Sequence, residues 1–330
     1  MLDGFGLEFL GRNSAHPLVA GLDITPLRSQ FPSTTTAHVT TLHFGMPVEQ
    51  HGLYEWNILE PSLGEIICPL RFNRAGSEVE GSLSDRLDPA ALAPGPSFYK
   101  RLDVPSLVMQ PQRIVGSAYT QVATQGADAH GFADLAEALP ALGEMLRTRP
   151  EIGYALVYWD AIDRAGHEHG PGSPEFATAS RAALDAIWAG CERLRGCSVL
   201  ITADHGQVDV SPGRVDYLDV IWPQLPEMLS HSRPAGSSRD VFLHVRHGFA
   251  EEVLTALAER LGERAEVRPA AELFPRAGPR LRARLGDVAV LPAPGRQAWL
   301  QSAAGNERWW RGHHGGLQPA ETGTYLAQLA

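Results

Sequence analysis

Residues 153–170 read GYALVYWDAIDRAGHEHG, and residues 197–206 read CSVLITADHG. In each, an apolar run of Val, Leu, Ile and aromatic residues ends abruptly in acidic and imidazole side chains. Such short runs fit strands buried on both faces, as in a sheet covered by helices. The polar residues then stand just past the C-terminal ends of strands, where open α/β sheets place their ligands. A third run, VPSLVM at 104–109, has the same texture. Helical spacing lies between and after these runs, at 131–148 and 174–195, the second opening near Pro174, which suits a first helical turn. The alternation predicts an α/β fold with a mostly parallel sheet.

Past residue 208 the texture changes. Residues 209–238 are rich in Pro, Ser and Gly. Residues 239–247 (RDVFLHVRH) alternate like a strand, 249–262 read as a helix, and 286–291 (GDVAVL) as another strand. This predicts a small α/β subdomain inserted near 209–300 of a single domain spanning 1–330. The polar stretch 75–97 reads as loop, and no internal repeat is present.

Composition bounds the function. Of 330 residues, 44% are hydrophobic and 20% charged, enough apolar material for a sizeable core and too little charge for a disordered chain. Thirty-eight acidic against 28 basic residues give a net charge of −10, which disfavours stable nucleic-acid binding through phosphates. An anionic substrate would need local positive charge, and metal ions are one source. No apolar run is long enough for a membrane span, and residues 1–13 lack the pattern of a secretory leader. Cys68, Cys191 and Cys197 form no CxxC pair, so reduced thiols and a cytoplasmic location are expected. Nothing in the sequence speaks to oligomeric state.

Five segments could carry chemistry. Asp3-Gly4 can present a carboxylate or simply make a turn. In FPSTTTAHVTTL (31–42), a Ser/Thr cluster precedes a helix, so it can cap that helix or supply a hydroxyl nucleophile where the helix dipole favours phosphate. Residues 160–170 hold Asp163 and His167 among other acids and imidazoles, and Asp and His suit zinc or manganese. Asp204-His205-Gly206 and His313-His314-Gly315 add further donors of the same types. Each segment alone also fits an ordinary loop. Together they supply about the ligands that two divalent ions need.

The order of these motifs resembles the alkaline phosphatase superfamily, and within it the type I phosphodiesterase/nucleotide pyrophosphatase family. The likeness runs from residue 3 to residue 316 and is densest over FPSTTTAHVTTLHFGMPVEQHGLYEW (31–56). It implies a three-layer α/β sandwich around a mixed, mostly parallel sheet. It implies two divalent ions, zinc first, with manganese or iron accepted by the same donors. Asp163, His167 and His314 would hold one ion. Asp3, Asp204 and His205, with the hydroxyl of Thr35, would hold the other. Thr35 falls at the nucleophile position and would form a phosphothreonine intermediate. His314 is chosen over His313 because it directly precedes a Gly. Asn57, one residue beyond the expected spacing, would donate to a phosphoryl oxygen. The substrate would be a small phosphodiester or pyrophosphate, for example a nucleotide.

Other branches leave different marks. A sulfatase would need C/S-x-P-x-R at the nucleophile, which is absent. A phosphomonoesterase of the alkaline phosphatase type would bind the extra phosphate charge with an Arg and often a third metal; Arg164 and Arg239 are available, nothing in the sequence singles either out, and a monoesterase or phosphonate hydrolase is the second reading. Only Met1 and Leu2 precede Asp3, too few for a normal strand. Either the start of the sequence is called too late or a first strand has been lost; in the second case Asp3 would sit on a frayed terminus with weakened metal binding, which gives a competing reading as a non-catalytic remnant that still folds.

Overall fold

A computed structural model describes residues 1–329. The apolar runs form strands Ser106–Pro111, Tyr154–Val157 and Leu200–Thr202. Ser106–Pro111 pairs in parallel with both Asp128–Phe132 and Tyr154–Val157. The pairing is mixed beyond these three strands. Leu200–Thr202 pairs antiparallel with Gly323–Leu329, which pairs antiparallel with Leu22–Arg28. The last is an exposed strand whose Pro26 lacks an N–H, which an edge position tolerates.

The first residues join these two halves. Leu2 bridges in parallel to Trp159, its N–H donates to Thr202 O at 2.8 Å, and Asp3 N–H donates to Trp159 O at 2.9 Å. The frayed terminus expected if a first strand were lost is not what is found. Two residues suffice because neighbours on both sides supply the hydrogen bonds. Asp3 is 2% exposed.

Helices differ from expectation at their ends. The helix expected over 131–148 begins at Leu135, because the strand runs on to Phe132 and Asp134 caps the helix by accepting from Ala136 N–H. The helix expected over 174–195 spans Pro174–Gly190 and tightens into a 3-10 turn at Cys191–Leu194. Ser173 caps it by accepting from Phe176 N–H. Both helices pack on the sheet through one core that includes Leu2, Phe5, Leu107, Leu139, Leu184, Ile201 and Tyr325. Each large apolar side chain fully buried there contributes about 1.5–3 kcal/mol.

Later in the chain, Ala235–Ser237, Asp240–Leu243, Val288–Pro292 and Ala265–Pro269 form a four-stranded antiparallel sheet. The helix Ala250–Leu261 covers it through Val253, Leu257 and Leu261. Among the described residues the cysteines are unpaired, and no helix is long and apolar enough to cross a membrane.

Candidate metal centre

Each candidate residue sits where a strand or loop stops. Asp3 follows the bridge at Leu2. Asp163 and His167 lie four apart on one face of the helix Ala161–His169, just beyond Tyr154–Val157. Asp204 and His205 follow Leu200–Thr202. Thr35 is the first residue of the helix Thr35–Phe44. His314 follows Gly312–His313, which pairs with Val208–Asp209.

The loops are tied to one another. Ser33 bridges to Gly315, and the Ser33 hydroxyl donates to Gly316 O at 2.9 Å. Gly315 has φ +121°, and a Cβ there would meet the Asp240 carboxylate at 2.8 Å, so glycine is required. Gly206 is required for space alone, since a Cβ would lie 2.1 Å from Ala320 O.

The seven candidate ligands converge. Oxygens or nitrogens of Asp3, Asp204 and His205 lie within 4.8 Å of one another, as do those of Asp163, His205 and His314. Thr35 Oγ1 is 3.4 Å from Asp3 Oδ1 and 3.3 Å from His205 Nε2. His167 Nε2 lies 3.3 Å from Asp163 Oδ2 and 3.2 Å from His314 Nε2. The rings of His205 and His314 stack at 3.7 Å, joining the two groups.

The imidazoles are oriented alike. Each Nδ1 faces a backbone carbonyl: His167 to Gly312 O at 2.9 Å, His205 to Gly206 O at 3.0 Å, His314 to Ser33 O at 2.9 Å. A donor Nδ1–H leaves each Nε2 as a lone pair turned inward, the arrangement of metal-bound histidine. Two inward lone pairs 3.2 Å apart repel unless a cation lies between them.

The carboxylates sit in unequal surroundings. Burial, with Asp204 and Asp163 alongside, holds the Asp3 carboxyl well above its ordinary range. Burial pushes Asp204 up to about 7, although Gly4 N–H donates to its Oδ1 at 3.1 Å. Among the described residues Asp204 Oδ2 is buried without a hydrogen-bond partner. Asp163 goes the other way: burial raises it, but His167 and His314 together pull it below the ordinary range. Burial lowers His314 to about 4 and His205 well below its ordinary value. Acidic side chains crowded in one buried site, inward-facing imidazole nitrogens and an orphaned oxygen fit divalent cations.

Other candidates are placed less simply. Asn57 lines the same cavity as Thr35, and its Nδ2 donates to Gly236 O at 3.1 Å, leaving one amide N–H. Thr34, the residue before that helix, makes no side-chain capping bond and lines the same cavity. Arg239 is buried on Glu321, away from the cavity, whereas Arg164 lines it.

Sequence reasoning missed several neighbours. His313, set aside in favour of His314, also comes within 4.8 Å of the His167 and His314 donors. The Tyr158 hydroxyl donates to Asp3 Oδ2. The Gln207 amide donates to Asp163 O at 3.0 Å and to Asp163 Oδ1. The signal for Gln207 was its position three residues past Asp204. Gln207→Leu is expected to weaken metal binding about 10–100-fold, as for other groups that orient a ligand. Metal titration checks this; an unchanged affinity contradicts it.

The sequence model for type I phosphodiesterase/nucleotide pyrophosphatase matches residues 1–317. The chain belongs to that family. Members of the type I phosphodiesterase/nucleotide pyrophosphatase family act on phosphoric ester bonds, and this chain is such a hydrolase. Solved structures share the fold. Murine ectonucleotide pyrophosphatase/phosphodiesterase 5 matches with TM-score 0.74 and 17% identity over 99% of this chain and 86% of that one. An inactive threonine-to-alanine variant of the murine protein, in complex with AMP, matches with TM-score 0.69 and 17% identity over 91% of this chain and 77% of that one. Phosphonoacetate hydrolase from Sinorhizobium meliloti 1021, in complex with phosphonoformate, matches with TM-score 0.68 and 18% identity over 99% of this chain and 88% of that one. A search of curated proteins returns no match. The fold is thus a mixed α/β one of the alkaline phosphatase superfamily.

Proposed function

We propose that this chain hydrolyses small phosphodiesters or pyrophosphates of nucleotide type, with Thr35 as nucleophile and two divalent ions at one site. The observation that carries the reading is the set of three histidines, each with Nδ1 on a backbone carbonyl and Nε2 facing a buried carboxylate. Asp163, His167 and His314 would hold one ion. Asp3, Asp204 and His205, with Thr35 Oγ1, would hold the other. Zinc suits these donors best, and manganese or iron also fits. When bound, such ions lower the pKa of a hydroxyl and offset charge on phosphoryl oxygens.

The protein's own groups do the rest. The N-terminus of the helix Thr35–Phe44 turns its dipole and free N–H groups toward an incoming phosphoryl group. Thr35 Oγ1 loses its proton and attacks phosphorus in line, and an alcohol or phosphate leaves. Water then hydrolyses the phosphothreonine. Asn57 donates its remaining amide N–H to a phosphoryl oxygen. A cavity of about 480 Å³, walled by Val39, Tyr119, Tyr158 and Trp310, holds the organic part of the substrate. AMP in the murine relative is a ligand of this kind.

The architecture under this reading is a three-layer sandwich. The strands flanking Met1–Asp3 form its single central layer, and the sheet within 235–292 belongs to an inserted subdomain near 209–300. That insert and the 58–100 loops set specificity.

A phosphonate hydrolase is the second reading, favoured by Arg113 and Arg164 in the cavity. The competing remnant reading is opposed by the buried, hydrogen-bonded Asp3. Hydrolysis of bis-p-nitrophenyl phosphate beside p-nitrophenyl phosphate, after adding Zn²⁺ or Mn²⁺, tests the proposal. Faster diester cleavage is expected. Faster monoester cleavage contradicts the diesterase assignment, and cleavage of neither favours the remnant.

A further inference from the structure

Among the described residues, three histidines accept a backbone N–H on Nδ1, the reverse of the arrangement in the ligand cage. His16 Nδ1 accepts from Leu18 N–H at 3.2 Å, His51 Nδ1 from Leu53 N–H at 3.1 Å, and His313 Nδ1 from His314 N–H at 2.8 Å. A ring nitrogen that accepts carries no proton, so each of these imidazoles has its hydrogen on Nε2, and that edge can only donate. Two of the three find an acceptor. His16 Nε2 meets Asp185 Oδ1 at 2.9 Å, and His51 Nε2 meets Ala37 O at 3.1 Å. His313 is 3% exposed, and among the described residues its Nε2 is buried without a hydrogen-bond partner. A buried N–H left in this way calls for an acceptor from elsewhere.

His313 lines the cavity together with Thr35, His167, His314 and Trp310. Its ring lies 5.2 Å from that of His167, and the Trp310 ring stands across it at 87° and 4.6 Å. Thr35 is at the opposite end of the cage. Its Oγ1 meets His205, whose ring stacks on His314, whose Nε2 in turn meets His167. The contacts therefore run from Thr35 through His205, His314 and His167 to His313. In-line attack by Thr35 Oγ1 puts the leaving oxygen on the far side of phosphorus, toward His167 and His313. The hydrogen on Nε2 also keeps His313 out of the ligand set. Its donor atoms approach those of His167 and His314 within 4.8 Å, but a nitrogen that holds its proton offers no lone pair.

We propose that His313 is a catalytic residue whose Nε2–H donates a hydrogen bond to the leaving oxygen of the substrate. The role rests on the phosphoryl-transfer reading above and deepens it. As the bond from Thr35 Oγ1 to phosphorus forms, the bond from phosphorus to the leaving oxygen breaks, and its electron pair stays on that oxygen. His313 keeps its proton and holds the developing negative charge; water protonates the departed group. Such a donor counts for most where that charge is largest, so it favours esters of poor leaving groups, alkoxides and plain phenolates, over activated ones.

Nitrogen NMR of histidine-labelled protein and steady-state kinetics test this together. The His313 signals, assigned by their loss in His313→Phe, are expected to show a protonated Nε2 and a bare Nδ1, both without and with zinc. Methyl phenyl phosphate and methyl p-nitrophenyl phosphate differ in the charge that their leaving oxygens gather. His313→Phe keeps a ring in the same space and removes the donor. It is expected to lower kcat about 100-fold for the phenyl ester and about tenfold or less for the nitrophenyl ester, with zinc content unchanged. His313→Gln, whose amide N–H replaces the lost donor, is expected to recover part of the loss on the phenyl ester.

Equal losses on the two esters, zinc bound at His313 Nε2, or zinc lost from both variants overturns the donor role and leaves the phosphoryl site standing. A wild-type protein that cleaves neither ester overturns both.

Discussion

Thr35→Ala lowers turnover of bis-p-nitrophenyl phosphate by about four orders of magnitude or more, as expected when a covalent nucleophile is removed. The threonine oxygen meets the cage 3.4 Å from Asp3 Oδ1 and 3.3 Å from His205 Nε2. Its removal deletes one oxygen and one methyl from a half-buried position, so the melting temperature stays within a few degrees. Thr35→Ser keeps the oxygen and loses only the rotamer restriction of a β-branched side chain. It therefore retains a measurable fraction of activity. Steady-state rates for both variants decide the matter. Near-normal activity in Thr35→Ala shows that another group attacks phosphorus.

Glu321→Gln destabilises the fold by about 3–5 kcal/mol, because it leaves a buried guanidinium without its countercharge. Arg239 is 1% exposed and makes a two-point pair with Glu321, Nε to Oε1 and Nη2 to Oε2, each at 3.0 Å. Its Nη1 also donates to the carbonyls of Ala293 at 3.1 Å and Arg296 at 2.6 Å. Glu321 in turn accepts from Gly316 N–H at 3.0 Å, two residues beyond His314. The pair thus braces the loop that carries one candidate ligand. Urea unfolding measures the loss. Replacing both partners with apolar residues is expected to recover much of it, since no charge is then stranded. A cost below about 1 kcal/mol for Glu321→Gln contradicts the account.

Much of the fold was legible because its strands are short, apolar and bounded by polar residues. Ser106–Pro111 and Tyr154–Val157 lie within or beside their expected ranges. The strand Gly323–Leu329 was not anticipated, although Tyr325 and Ala327 are buried at period two. Its antiparallel pairing depends on the chain's return after the 235–292 sheet, which no local pattern encodes. The lead-in to Asp3 misled for a similar reason. Strand length is a local property, but the hydrogen bonds that hold Leu2 come from Trp159 and Thr202.

The candidate ligands were legible for a different reason. Asp and His dense at strand ends have little packing value, so they stand out from the core. The groups that orient them do not. Gln207 and Tyr158 act through contacts with residues 44 and 155 positions away in sequence. Arg239 and Arg164 looked alike in sequence and have opposite surroundings, one buried on a carboxylate and one facing a cavity.

The central claim is that these side chains form a cage for a pair of divalent ions. Elemental analysis of the purified protein, after incubation with Zn²⁺ and desalting, tests it most directly. Two ions per chain are expected in the wild type and one in Asp204→Asn, whose remaining oxygen set no longer completes the second position. A wild-type chain that retains no ion, or a single ion that Asp204→Asn leaves unchanged, contradicts the account.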